Sequence, residues 1–174
     1  MINSSHIFFY FNKFSKNLLY FIFLFSIINF EISLNILSIF DYSPPSLISI
    51  IIFISIRKYS INYSNFILFI LGLIYDIILG VNLGLNTILF LLIKHLTHYI
   101  QSSFSINNNN NDWFYFTGVF LTSFLIIFLI NIFLNTVIPD FGPVLFHIGV
   151  TLIFFPLILI FLNLINFLTN FLKN

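Results

Sequence analysis

The stretch Pro44-Pro45-Ser46-Leu47-Ile48-Ser49-Ile50-Ile51-Ile52-Phe53-Ile54-Ser55-Ile56-Arg57-Lys58 decides how many times this chain crosses a membrane. The residue before a proline avoids helical geometry, whereas proline itself suits a helix's first turn, so the Pro44-Pro45 pair ends one helix and opens the next. Only the eleven residues Ser46 to Ile56 separate the pair from Arg57 and Lys58. An α-helix rises about 1.5 Å per residue and a hydrocarbon core is roughly 30 Å thick, so a crossing takes about 20 residues. This segment spans only if it extends with the Arg57 and Lys58 side chains snorkelling to the interface, or lies in a locally thin bilayer.

Working outward, the other apolar segments are longer. The first covers residues 18–40 and follows Lys13 and Lys16, leaving residues 1–17 as an N-terminal tail. A secretory signal has an apolar region of about 7 to 15 residues and then small residues for cleavage. This segment is longer than that and ends in Asp41-Tyr42-Ser43. The second segment occupies 44–58, the third 63–80 and the fourth 84–100, the last two joined by Gly80-Val81-Asn82-Leu83-Gly84, whose glycines permit a tight reversal. The fifth occupies 113–138 and the sixth 143–172, with Pro156 as an expected kink and Pro139-Asp140-Phe141-Gly142-Pro143 as a rigid turn between them. The pattern predicts an all-α integral membrane protein with a single transmembrane domain, residues 18–172, of six transmembrane helices, the second one short.

Composition agrees. Hydrophobic residues make up 60% of the 174 and charged residues 6%, and the mean hydropathy of +1.10 needs lipid as solvent. The absence of Cys excludes disulfides, thiolate metal sites and a thiol nucleophile. With 27 Phe, no Ala and abundant Ile and Asn, the chain carries the imprint of AT-rich coding, and the run Asn107 to Asn111 reads as a low-complexity loop.

Charge tests the helix count independently. With six crossings and a cytoplasmic N-terminus, Lys13, Lys16, Arg57, Lys58, Lys94 and Lys173, which are every Lys and Arg in the chain, fall on or near the cytoplasmic side. Asp41, Asp76 and Asp140 lie toward the outer face. Removing the short second crossing would move Lys94 and Lys173 to the wrong side.

Few residues offer chemistry. Glu31 lies inside the first apolar segment, where an ionised carboxylate costs at least about 2.5 kcal/mol, so it must face protein or water or hold a proton. It reads either as a proton relay or ligand contact, or as a polar packing residue bonded to a neighbour such as Asn35 or His147, and the second reading is favoured because no second acid, base or metal ligand accompanies it. In Gly72-x-x-x-Asp76-x-x-x-Gly80-x-x-x-Gly84, a spacing of four places Gly72, Asp76 and Gly80 on one helix face, where small residues allow another helix to approach closely. Asp76 either lines an outward-opening pocket or packs and caps near the turn, the latter being favoured. His95 and His98 are expected to be interfacial polar residues, since a metal site would need a further ligand. Asn163, Asn166 and Asn170 form a polar stripe suited to interhelical bonds. There is no phosphate-binding glycine loop, no G-x-S-x-G elbow, no H-E-x-x-H and no basic nucleic-acid patch, so neither an enzyme nor a cofactor is expected.

The helix opened by Pro44-Pro45-Ser46-Leu47, the following Arg57, and the run Gly72-Leu73-Ile74-Tyr75-Asp76-Ile77-Ile78-Leu79-Gly80-Val81-Asn82-Leu83-Gly84-Leu85-Asn86 together resemble the MreD family of rod shape-determining proteins. The resemblance covers about Glu31 to Tyr99 and continues elsewhere only in hydropathy and length; Glu31 falls where relatives often carry Gln. It implies a multi-pass protein of the bacterial inner membrane with both termini cytoplasmic, and a fold similar to the S-component, or substrate-binding subunit, of energy-coupling-factor vitamin transporters. It also implies a non-enzymatic role in cell elongation and lateral peptidoglycan synthesis. The implied partners are an MreC-like single-span protein and, through it, MreB filaments, RodA and a penicillin-binding transpeptidase, with Gly72, Asp76, Gly80, Gly84, Pro44 and Glu31 as helix-packing or partner-binding residues. The alternatives are a vitamin-binding transporter subunit, which should present convergent polar groups toward an outer pocket, and a membrane enzyme acting on lipid-linked substrates, which should cluster charges at an interface.

Overall fold

A computed structural model describes residues 4–34, 44–103, 111–135 and 140–171. These residues form six α-helices: α1 Ser4–Leu34, α2 Leu47–Tyr59, α3 Asn65–Leu79, α4 Leu85–Ser103, α5 Asp112–Asn135 and α6 Phe141–Phe171, with no strand among them. Three stretches are long and apolar enough to cross a membrane: Asn17–Leu34 of α1, Asp112–Asn135 and Phe141–Asn163. Asn35, Asp41, Asn107 to Asn110, Pro139 and Lys173 lie outside the described residues, as do the side chains of Lys13, Lys16, Asn166 and Asn170.

The first helix begins at Ser4, so helix continues ahead of Leu18, while the part long and apolar enough to cross a membrane is Asn17–Leu34. Hydropathy marks where a helix becomes compatible with lipid, and residues 4–34 contain no glycine or proline to stop the helix earlier. The sixth helix begins at Phe141, two residues ahead of Pro143. A proline in the first turn is tolerated there because the first N–H groups have no helical partner. Deeper in α6, Pro156 cannot donate to the carbonyl of Leu152 four residues before it. The indole N–H of Trp113, at the start of α5, takes up that free acceptor at 3.3 Å.

The short helix α2 is the centre of the molecule. Leu47, Ile48, Ser49, Ile50, Ile52, Phe53, Ile54, Ser55 and Ile56 are all buried. Its 13 residues span about 20 Å, too little for a lipid-facing crossing. The helix is surrounded instead by α1, α4, α5 and α6, so its backbone ends meet protein. The outer helices pack in the order α1, α3, α4, α5, α6, and the ring stays open between α1 and α6.

Aromatic rings fill the core beside α2. Phe116 of α5 stacks on Phe155 of α6, with centroids 4.4 Å apart, and Phe53 of α2 meets both edge-on at 5.3 and 5.8 Å. Such pairs contribute roughly 0.5 to 1.5 kcal/mol each beyond the area they bury. On the other side, α3 and α4 approach so closely at Gly72 that a Cβ there would stand 2.4 Å from the Cα of Thr87.

Candidate functional site

The chemistry-bearing side chains collect at the two ends of α2. At its N-terminal end, the first N–H groups of the helix have no intrahelical acceptor and are buried away from water. Ser46 makes no side-chain cap to them. The Leu47 N–H turns back to the Pro45 carbonyl at 2.9 Å, and other helices supply two further acceptors: Glu31 Oε2 accepts the Ile48 N–H at 2.9 Å, and Thr151 Oγ1 of α6 accepts the Ser46 N–H at 3.0 Å. Glu31 Oε1 also accepts the Tyr75 hydroxyl of α3 at 2.5 Å. Glu31 is 1% exposed, so one carboxyl group ties α1, α2 and α3 together at the positive end of a helix dipole.

The polar packing role expected of Glu31 is therefore what its geometry provides, with Ile48 and Tyr75 as partners, while Asn35 lies outside the described residues. His147 directs its Nδ1–H to the carbonyl of Pro44 at 2.7 Å, because a carbonyl can only accept. That bond fixes the Pro-led entry to α2 against α6. Sequence reasoning missed Tyr75 and Thr151, which lie 44 and 105 residues from their partners Glu31 and Ser46. Only the demand for acceptors at a buried helix start signals that such partners must exist.

Asp76 repeats the device one hairpin later. Fully buried, it accepts the Gly84 N–H at 2.7 Å through Oδ2, and the Asn86 N–H and side-chain amide at 3.0 and 2.9 Å through Oδ1. It thus caps α4, as the turn-capping alternative anticipated. The shared-face reading of Gly72, Asp76 and Gly80 needs correction at Gly80, which lies past the end of α3. Only Gly72 sits at a close helix approach. Gly80 ends α3 with φ +66° and Gly84 enters α4 with φ +99°, and neither would meet an atom within 4 Å if given a Cβ. The four-residue period describes a face only while the chain remains helical. Past Leu79 the glycines serve backbone conformation, and Val81 closes the helix by donating to the Asp76 carbonyl at 3.2 Å.

Asp76→Ala is expected to lower stability by about 2 to 4 kcal/mol, because two backbone N–H groups and one side-chain amide lose their acceptor at once. Thermal unfolding in detergent measures this, with Asp140→Ala, at the exposed entry to α6, as the comparison. Equal transitions for the two variants would contradict the capping role.

The opposite end of α2 is basic. Arg57 Nε donates to Asp112 Oδ1 at 3.1 Å and its guanidinium lies 5.0 Å from the Tyr115 ring centroid. The cation belongs to the last turn of α2 and the carboxylate to the first turn of α5, so each also suits its helix dipole. Lys58 donates to Asn163 Oδ1. Lys94 is 8% exposed and donates to the Tyr63 carbonyl at 2.5 Å and to Asn65 Oδ1 at 2.6 Å. The three cations therefore sit at one end of the bundle, and Glu31, Asp76 and Asp140 at the other.

Among the described residues, no group of three His, Asp or Glu side chains is placed to hold a metal ion. His95 bonds the Leu91 carbonyl within its own helix at 2.8 Å, and the shielded Nε2 of His98 has no partner among the described residues. Acid–base chemistry needs a carboxyl that reaches a substrate. Glu31 and Asp76 are instead engaged by internal donors, and neither borders the large groove between α1 and α6. The arrangement can lock helices in register and present an apolar exterior. No family model, no curated protein and no solved structure matches the chain.

Proposed function

We propose that this chain is a non-enzymatic subunit of the bacterial cell-elongation machinery, a six-span inner-membrane protein with cytoplasmic termini that binds an MreC-like single-span partner through its helices. The observation that carries the proposal is that both buried carboxylates in the region resembling MreD act as helix caps, which leaves binding by helix surfaces as the chemistry at hand. The exposed side chains of α5 and α6 supply such surfaces, with Leu125, Leu129 and Phe133 on one and Leu145, Ile153 and Ile160 on the other. Segregation of Arg57, Lys58 and Lys94 to one end supports the cytoplasmic assignment of that end. In this reading α2 crosses inside protein while the other five helices face lipid, and the fold is that of an energy-coupling-factor S-component. Against a vitamin-binding role stands the lining of the large groove, which consists of aliphatic and aromatic side chains with few polar groups.

Depleting the protein should turn rod-shaped cells into spheres, and affinity purification in mild detergent should recover an MreC-like single-span protein. Normal rod growth after depletion, or reporter fusions placing the two termini on opposite faces, would overturn the proposal.

A further inference from the structure

The opening between α1 and α6 is a groove of about 810 Å³ whose floor is α2. Leu19 and Phe23 of α1 and Ile158 and Phe161 of α6 form its walls, and Leu47 and Ile51 contribute to the floor. It follows α2 from Leu47 to Tyr59, 59 − 47 = 12 residues or about 18 Å, close to the roughly 15 Å depth of one leaflet's hydrocarbon. At the basic end of the bundle, Asn17, Asn62, Ser64, Asn65 and Lys94 line a second, polar cavity of about 430 Å³. Tyr63 borders both cavities, and Tyr20 of the groove packs edge-on against it at 5.4 Å. The apolar groove and the polar cavity thus adjoin at Tyr63, which lines both.

Lys94 gives this junction its charge preference. An ammonium has three N–H donors, and two are used by the Tyr63 carbonyl and the Asn65 amide oxygen. Both acceptors are neutral, and among the described residues no carboxylate lines the cavity. A buried cation held only by neutral oxygens favours an anion that can reach its remaining donor.

We infer that the two cavities form one site for an anionic phospholipid, its phosphate beside Lys94 and an acyl chain along α2 in the groove. The polar cavity supplies amide and hydroxyl donors from Asn17, Asn62 and Ser64 to the remaining phosphate oxygens. A partner helix laid in the groove would leave this cation unanswered, which is why a lipid is the better occupant.

Native mass spectrometry of the detergent-purified protein, titrated separately with phosphatidylglycerol and with diacylglycerol, a lipid of the same acyl chains that lacks the phosphate, tests the inference. One phosphatidylglycerol should be retained with roughly tenfold preference, the worth of one charge-assisted contact. Lys94→Gln should remove the preference while Lys94→Arg keeps it, and Ile51→Trp, which fills the groove away from the cation, should weaken retention of both lipids. Equal retention of the two lipids by the unaltered protein overturns the inference whether or not any variant folds. Undiminished retention in folded Ile51→Trp, or displacement of the lipid by soluble glycerol phosphate alone, would likewise overturn the placement of an acyl chain in the groove.

Discussion

Gly72→Ala should destabilise the protein by about 3 kcal/mol or more and broaden its elution profile in detergent. The added Cβ would stand 2.4 Å from Thr87 Cα, 2.6 Å from its Oγ1 and 2.7 Å from its N. Two of these three atoms are backbone, inside a buried turn of α4, so no side-chain rotation relieves the overlap. The helices α3 and α4 would have to separate by about an ångström to restore ordinary carbon contact. Separation would also loosen the turn held by Asp76. Gly118, in α5, has open space where a Cβ would go, so Gly118→Ala is the control and should be neutral within about 0.5 kcal/mol. Gly80→Ala belongs between them, costing about 1 to 2 kcal/mol for a left-handed backbone and nothing for space. Fluorescence-detected size exclusion after a heating series ranks the three. If Gly72→Ala elutes and melts like Gly118→Ala, the close α3–α4 approach is wrong.

Those three glycines also mark what could be read from the chain alone. Hydropathy located α2 to α6 to within a few residues, because long apolar runs bounded by Pro, Gly and Asn leave few choices. The spacing of four correctly marked Gly72 as a small residue on a packed face, then failed at Gly80 because spacing carries no information about where the helix stops. The shortness of α2 was legible from the distance between Pro45 and Arg57. Its burial among four other helices was not, since a continuous apolar run looks the same facing lipid or protein. Snorkelling side chains and a thinned bilayer were the expected remedies for a short crossing, whereas the fold places α2 among α1, α4, α5 and α6. Trp113 escaped notice for a related reason. A proline always frees the carbonyl four residues earlier, but only the fold reveals that the chain's one Trp reaches it.

The two buried carboxylates connect these observations to the function proposed. Each lies near the C-terminal end of one helix and caps the start of a later one, Glu31 for α2 and Asp76 for α4. Such placement stabilises a helix start that water cannot reach, and it fixes the register of antiparallel neighbours. A bundle locked this way presents a fixed exterior, which suits a subunit that acts by holding partners.

Glu31→Ala tests that claim where the consequences are largest. Truncation would leave the Ile48 N–H and the Tyr75 hydroxyl without an acceptor in a site that is 1% exposed, and would remove a carboxyl from the positive end of α2. Two orphaned donors at about 1 to 3 kcal/mol each, with the lost dipole interaction, give an expected cost of about 3 to 5 kcal/mol. Glu31→Gln retains one acceptor oxygen and nearly the same volume, so about 1 to 2 kcal/mol is expected. Tyr75→Phe should cost a similar amount by removing one donor from the same group. Combined with Glu31→Gln it should cost less than the sum, because both changes break one shared bond. The emission of Trp113, whose indole N–H bonds α6 from the start of α5, gives an unfolding signal, and the transition temperatures of the four variants supply the ranking. A Glu31→Ala protein as stable as Glu31→Gln would mean that α2 does not depend on this carboxyl, and the proton-relay or ligand-contact reading of Glu31 would then be the stronger one.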